Sequence, residues 1–139
     1  MIDNPMPATR PNNPQHTVKI FFDGGCRPNP GAMEVAVVAQ GEAHILRDIG
    51  RGSSGDAEWL ALIHALKIAQ SLGATDFVLL GDSASVVAQA SGKAKCRGAA
   101  IAHRVAFLAL TPDGKPPRIR HIKRSHNLAG IALARLHDR

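Results

Sequence analysis

Val18-Lys19-Ile20-Phe21-Phe22-Asp23-Gly24-Gly25-Cys26-Arg27-Pro28-Asn29-Pro30-Gly31 is the stretch that decides how this chain folds. Its first half alternates, with Val18, Ile20 and Phe22 on one side, the pattern of a half-buried strand. Its second half is rich in glycine and proline, a composition that forces a loop from Gly24 to Gly31. Asp23 stands where the two halves meet. A carboxylate there has two readings. It is a turn acid accepting backbone N–H bonds, or it belongs to a site at a strand C-terminus, where open α/β sheets gather ligands.

The rest of the chain supplies partners for that strand. Glu34 to Ala39 and Ala43 to Ile49 are short β-rich runs split by the hairpin signal Gln40-Gly41. Gly50 to Gly55 reads as a second loop. Ala57 to Leu72 has eleven apolar residues in sixteen, the density of a buried helix, and Gly73 is its stop. Phe77 to Leu80 is a continuous apolar run, as in a strand covered on both faces. Helices are then expected over Ser83 to Gln89, Arg97 to Leu110 and His126 to His137, with a strand over Arg118 to Arg124. The order βββαβααβα implies an α/β fold with a mixed five-stranded sheet flanked by helices.

Two more acids mark turning points: Glu58 in Ser53-Ser54-Gly55-Asp56-Ala57-Glu58, and Asp82 in Gly81-Asp82-Ser83. Asp82 follows an apolar strand, as Asp23 does. Glu58 falls in the first turn of its helix, where the dipole favours an acid. Its neighbours Ala57, Trp59, Leu60 and Ala61 nevertheless leave it facing core or site. Charges this close to buried surface are costly unless paired or metal-bound. Three acids cannot neutralise one another, so a divalent cation is the natural partner, and hard oxygen donors suit Mg²⁺ or Mn²⁺.

Charge is divided along the chain. The formal net charge is +6, yet residues 1–90 carry six Lys/Arg against nine Asp/Glu, and residues 91–139 eleven against two. An acidic site joined to a basic C-terminal third suits a polyanion spanning both; the plainer reading is a solvated basic face. With 139 residues there is material for one domain, 17–139, with its own core. Residues 1–16 hold four prolines and lack apolar periodicity, as in a disordered tail. No apolar run approaches the length of a membrane span, and the N-terminus lacks the apolar region of a secretory signal. Cys26 and Cys96 make neither a disulfide framework nor a zinc pattern, which fits free thiols in a cytoplasmic protein.

Asp23-Gly24-Gly25-Cys26-Arg27-Pro28-Asn29-Pro30-Gly31 resembles the Asp-Gly-Ser-x-x-x-Asn-Pro-Gly opening of type 1 ribonucleases H. Ser53 to Glu58 resembles that family's Thr-Asn-Asn-x-Ala-Glu helix start, and Gly81-Asp82-Ser83 its third signature. The likeness covers about residues 17 to 137 and is nearest the short, reverse-transcriptase-like branch. It implies a ribonuclease H-like fold and hydrolysis of the RNA strand of RNA–DNA hybrids to 5′-phosphate products. It further implies two Mg²⁺ or Mn²⁺ ions about 4 Å apart, with Asp23 bridging them and Glu58 and Asp82 holding the ion on the leaving-group side. The backbone around Gly24 to Cys26 and the Ser53-Ser54-Gly55 turn would face the RNA strand; Asn29 and Ser53 match positions that touch the DNA strand. His126 lies where many members carry a histidine that shuttles protons or assists product release. A surface histidine without a role is the plainer reading.

Two departures qualify these expectations. Ser54-Gly55 replaces the family's paired asparagines, removing two amides that read ribose and base edges. The closing signature Asn-x-x-Ala-Asp-x-Leu-Ala is here Asn127-Leu128-Ala129-Gly130-Ile131-Ala132-Leu133-Ala134. Ile131 thus stands in place of the fourth carboxylate, which implies reduced activity. The rival expectation is a noncatalytic module that binds RNA–DNA hybrid or RNA. Double-stranded RNA is a second candidate partner; neither a membrane nor an obligate protein partner is indicated.

Overall fold

The structure, a computed structural model, describes residues 17–137; the tail expected over 1–16, and Asp138, lie outside the described residues. Six strands and four helices follow in the order β1 (Val18–Arg27), β2 (Gly31–Ala39), β3 (Glu42–Leu46), β4 (Arg51–Gly52), α1 (Ser54–Ser71), β5 (Phe77–Gly81), α2 (Ala84–Ala90), α3 (Ala99–Ala109), β6 (Ile119–His121) and α4 (Leu128–Arg135). The sheet order is β3-β2-β1-β5-β6, with two-residue β4 added beside β2. β1 is antiparallel to β2 and parallel to β5. The sheet is therefore mixed, as expected, and β4 raises its strand number from five to six.

The alternation in β1 assigns its two faces. Ile20 and Phe22 point to a core shared with Trp59 and Leu62 of α1, Val86 of α2 and Phe107 of α3. Phe21 points the other way, to a smaller cluster of Ala36, Val38, Ala129 and Leu133 under α4. Phe22 and Phe107 are fully buried, so truncating either to alanine is expected to cost about 3–5 kcal/mol. Asp23 lies on the α4 face by the period of two.

Several boundaries differ from the sequence expectation. The loop expected from Gly24 begins only after Arg27, because Gly24 to Arg27 continue the ladder against β2, with Gly24 opposite Val35. Backbone pairing here overrides low strand propensity. A Cβ at Gly24 would lie 2.1 Å from the Ala57 carbonyl oxygen; its absence lets α1 approach β1. The Gln40-Gly41 hairpin is present, with φ of 53° and 78° at its centre, the two positive values of a type I′ turn. β3 stops at Leu46 rather than Ile49; Asp48, at φ 53°, breaks the strand. The last strand shortens to Ile119–His121, and a 3₁₀ turn over Arg124–His126 precedes α4.

Candidate active site

α1 begins three residues earlier than its apolar run. Ser53 caps it, its hydroxyl accepting from the Asp56 N–H at 3.1 Å while Asp56 accepts from the Ser53 N–H at 3.0 Å. The acid of the first turn is thus Asp56. Glu58 lies deeper, where the end-of-helix explanation no longer serves. The Ser53 N–H and then His103, from α3, hold the Asp56 carboxyl below its usual range. Those bonds fix the turn at the head of α1. Asn29 secures it from the other side, accepting from the Ser54 N–H at 3.1 Å and donating to Ser54 Oγ at 3.2 Å.

Asp23 comes from within β1, and Asp82 follows parallel neighbour β5, whose register pairs Phe21 with Leu80. The two acids therefore emerge side by side, and Glu58 descends from α1. Their carboxylate oxygens lie within 4.8 Å of one another, a disposition able to hold a metal ion. Glu58 Oε1 also accepts from the Gly24 N–H at 3.2 Å. Burial, then the charge of Asp82, push the Asp23 carboxyl up to about 6; Arg124 opposes that rise. Burial, then Asp23 and Asp82, push Glu58 up to about 8. Groups with raised values give up protons to a cation that rewards the ionised forms.

The three acids open into a cleft of about 620 Å³, lined also by Gly24, Cys26, Ser54, Arg124, Gly130 and Ile131. Ser53 and Asn29 do not line it; Asn29 fixes Ser54, which does. His126 is exposed on the 3₁₀ turn and does not line the cleft. His121 donates from Nε2 to the Asp82 carbonyl at 3.2 Å.

Sequence reasoning missed Asn127 as a site residue. It is fully buried, caps α4 through the Ala129 N–H, and donates to the Phe22 carbonyl at 3.0 Å and to Asp82 Oδ2 at 2.9 Å. An asparagine before an apolar helix is an N-cap signal, but placing the helix start at His126 hid it. Arg124 was missed too, because only tertiary structure brings it to Asp23. Ile131 lines the cleft at 39% exposure. At Gly130 a Cβ would stand 3.4 Å from Asp23 Oδ2, so α4 leans closely on the acids.

The raised values fix a sign for pH dependence. Between about pH 4 and pH 8 the folded cluster binds more protons than the unfolded chain, so its contribution to stability is lost as pH rises. In chelator, the melting temperature of wild type relative to Glu58→Gln should fall from about pH 5 to about pH 8, and Mg²⁺ should reverse that loss. A flat difference would show that Glu58 does not feel its neighbours.

Comparison with known proteins agrees with this geometry. The family model described as "Reverse transcriptase-like" matches residues 22–137, a span that includes all three acids. A curated relative, ribonuclease HI of Halobacterium salinarum, is 40% identical over 80 residues, 54% of this chain and 40% of the relative. The chain thus spans less than half of that protein's length. The crystal structure of RNase H1 from Halobacterium salinarum NRC-1 superposes with a TM-score of 0.76 at 32% identity, covering 88% of this chain and 99% of the other. LC11-RNase H1 in complex with an RNA/DNA hybrid gives 0.68 at 25% identity, covering 84% and 93%. The chain belongs to the reverse transcriptase-like family and is a type 1 ribonuclease H in fold and family.

Proposed function

We propose that the chain is a metal-dependent endonuclease that hydrolyses the RNA strand of RNA–DNA hybrids to 5′-phosphate products. The observation that carries this reading is the convergence of Asp23, Glu58 and Asp82 in one cleft. The hybrid bound to LC11-RNase H1 supports the substrate. The donor set is all carboxylate oxygen, which fits Mg²⁺ or Mn²⁺. Asp23 would hold both ions of a pair, with Glu58 and Asp82 on the leaving-group side. A divalent ion there would supply charge stabilisation to the phosphate and acidify the attacking water.

The chain's own groups do the positioning. Asn127 fixes the Asp82 carboxylate through its amide, and the Gly24 N–H fixes Glu58. Arg124 brings positive charge to the cleft, suited to a phosphate beside the acids. Gly24, Cys26 and Ser54 present the surface that would meet the RNA strand, while Asn29 and Ser53 hold its shape beside the DNA strand. His126, two residues from Arg124, would act on proton transfer or product release by moving toward the cleft. Free Cys26 and Cys96 suit a cytoplasmic setting; no described helix is long and apolar enough to cross a membrane.

One observation favours a second reading. Ile131 in the cleft wall supplies no oxygen to a metal, as in a module that binds hybrid or RNA without cutting it. The assay that decides uses end-labelled hybrid, double-stranded RNA and single-stranded RNA with Mg²⁺, Mn²⁺ or chelator. Metal-dependent cutting of the RNA strand in hybrid is expected. Binding without cutting in either metal would establish the module, and preferential cutting of double-stranded RNA would reassign the substrate.

The exposed segment between α2 and α3 carries Lys93, Lys95 and Arg97. Replacing all three with alanine should weaken hybrid binding and lower its salt slope by about 0.7–0.9 for each phosphate no longer neutralised. Filter binding across salt concentrations checks this; an unchanged slope places the segment off the substrate path.

A further inference from the structure

The cleft wall contains a fourth carboxylate, on a different element from the one where Ile131 stands. Glu34 lies on β2, opposite Gly25, while Asp23 lies opposite Ala36. Residues two apart share a face, so Glu34 and Asp23 are diagonal neighbours on the α4 side of the sheet. Such pairs have their Cα atoms about 7–8 Å apart, a span that long side chains can bridge; the Glu34 carboxylate itself stands outside the group of Asp23, Glu58 and Asp82 oxygens that lie within 4.8 Å of one another. Gly25 places no side chain beside them, and a Cβ there would meet nothing within 4 Å. Glu34 lines the same cleft as Asp23, Glu58, Asp82 and Ile131.

This carboxylate is held rather than free. Its side chain is 12% exposed; Arg47 Nε lies 3.3 Å from Oε1, and His137, just past α4, meets Oε2 through Nε2. An ionised carboxylate has about four lone-pair sites, so both partners leave room for a cation. Carboxylates that ligate metals are themselves held by hydrogen bonds, and Glu34 is held in that way by His137. The plainer alternative is an ion pair that ties β2 to β3 and to the end of α4.

We propose that Glu34 is a metal-ligating carboxylate of this cleft, supplying with Asp23 the oxygen donor that Ile131 withholds, and that His137 positions it. The inference rests on the metal-dependent reading of the cleft and adds a ligand from β2.

Glu34→Asp separates ligation from charge, since it keeps the charge and withdraws the oxygens by one methylene. Mn²⁺ alone is titrated into the intact wild type and variants, with free Mn²⁺ followed by electron paramagnetic resonance. Melting temperatures are taken in chelator. Glu34→Asp should weaken Mn²⁺ binding about tenfold, Glu34→Gln at least as much, and adding Ile131→Asp to either should restore it. Wild-type affinity in Glu34→Asp, whatever its melting temperature, overturns the proposal and leaves Glu34 as a structural ion pair. Should Glu34→Gln fail to fold, Glu34→Asp alone decides. Wild-type hybrid cleavage is read on the same preparation. Cutting with unchanged Mn²⁺ affinity in Glu34→Asp defeats this proposal and keeps the nuclease reading; weakened affinity without cutting does the reverse.

Discussion

Asp23→Asn is expected to reduce hybrid cleavage at least about a thousandfold, a barrier increase of roughly 4 kcal/mol. Asp23 stands on the central strand of the sheet and interacts with both Glu58 and Asp82. An amide keeps the shape but offers one neutral oxygen. The same substitution should raise the melting temperature in chelator by a few degrees, because the burial and repulsion that raise the Asp23 carboxyl disappear with its charge. Loss of cleavage together with gained stability is the signature of a functional acid; circular dichroism melts and single-turnover cleavage read the two halves. Retained cleavage would remove Asp23 from the bridging role.

Ile131→Asp is expected to act in the opposite direction. Ile131 is 39% exposed, so a charge there stays in contact with water and the desolvation cost is small. Its helical neighbours Asn127 and Gly130 approach Asp82 and Asp23, which puts position 131 at the edge of the same cluster. The variant should lower the metal concentration for half-maximal cleavage about tenfold, ~1.4 kcal/mol, and raise turnover. The added acid should also lower stability in chelator at alkaline pH and make the metal-induced rise in melting temperature larger. If the metal requirement is unchanged, α4 presents another face to the bound substrate. If the protein unfolds even with saturating metal, Ile131 is a core residue.

The parts of this fold legible in the sequence were those with a strong local pattern. Alternation over 18–22 revealed the two faces of β1, apolar density marked α1, and Gln40-Gly41 marked the hairpin. The three acids were legible as well, since each charge stood against apolar sequence that offered it no local partner. What failed locally was decided by distant pairing. Gly24 and Gly25 read as loop, but β2 holds them in the ladder. Ser53 and Asp56 did carry a capping-box signal, and the stronger apolar run starting at Ala57 masked it. Asn127 needed both the helix start and the position of Asp82 before its role could be seen. Glu34 and His137 lie 103 residues apart, and only the order of strands with α4 beneath them makes the two neighbours.

Diffraction from crystals soaked in Mn²⁺, recorded at the manganese absorption edge, asks whether these carboxylates form a metal centre. An anomalous peak within about 2.2 Å of oxygens of Asp23, Glu58 and Asp82 is expected, the reach of a hard cation of this size. The peak should vanish in Asp23→Asn. Manganese bound elsewhere with the cluster empty, or a peak that survives Asp23→Asn unchanged, would contradict a catalytic metal centre built on these three acids.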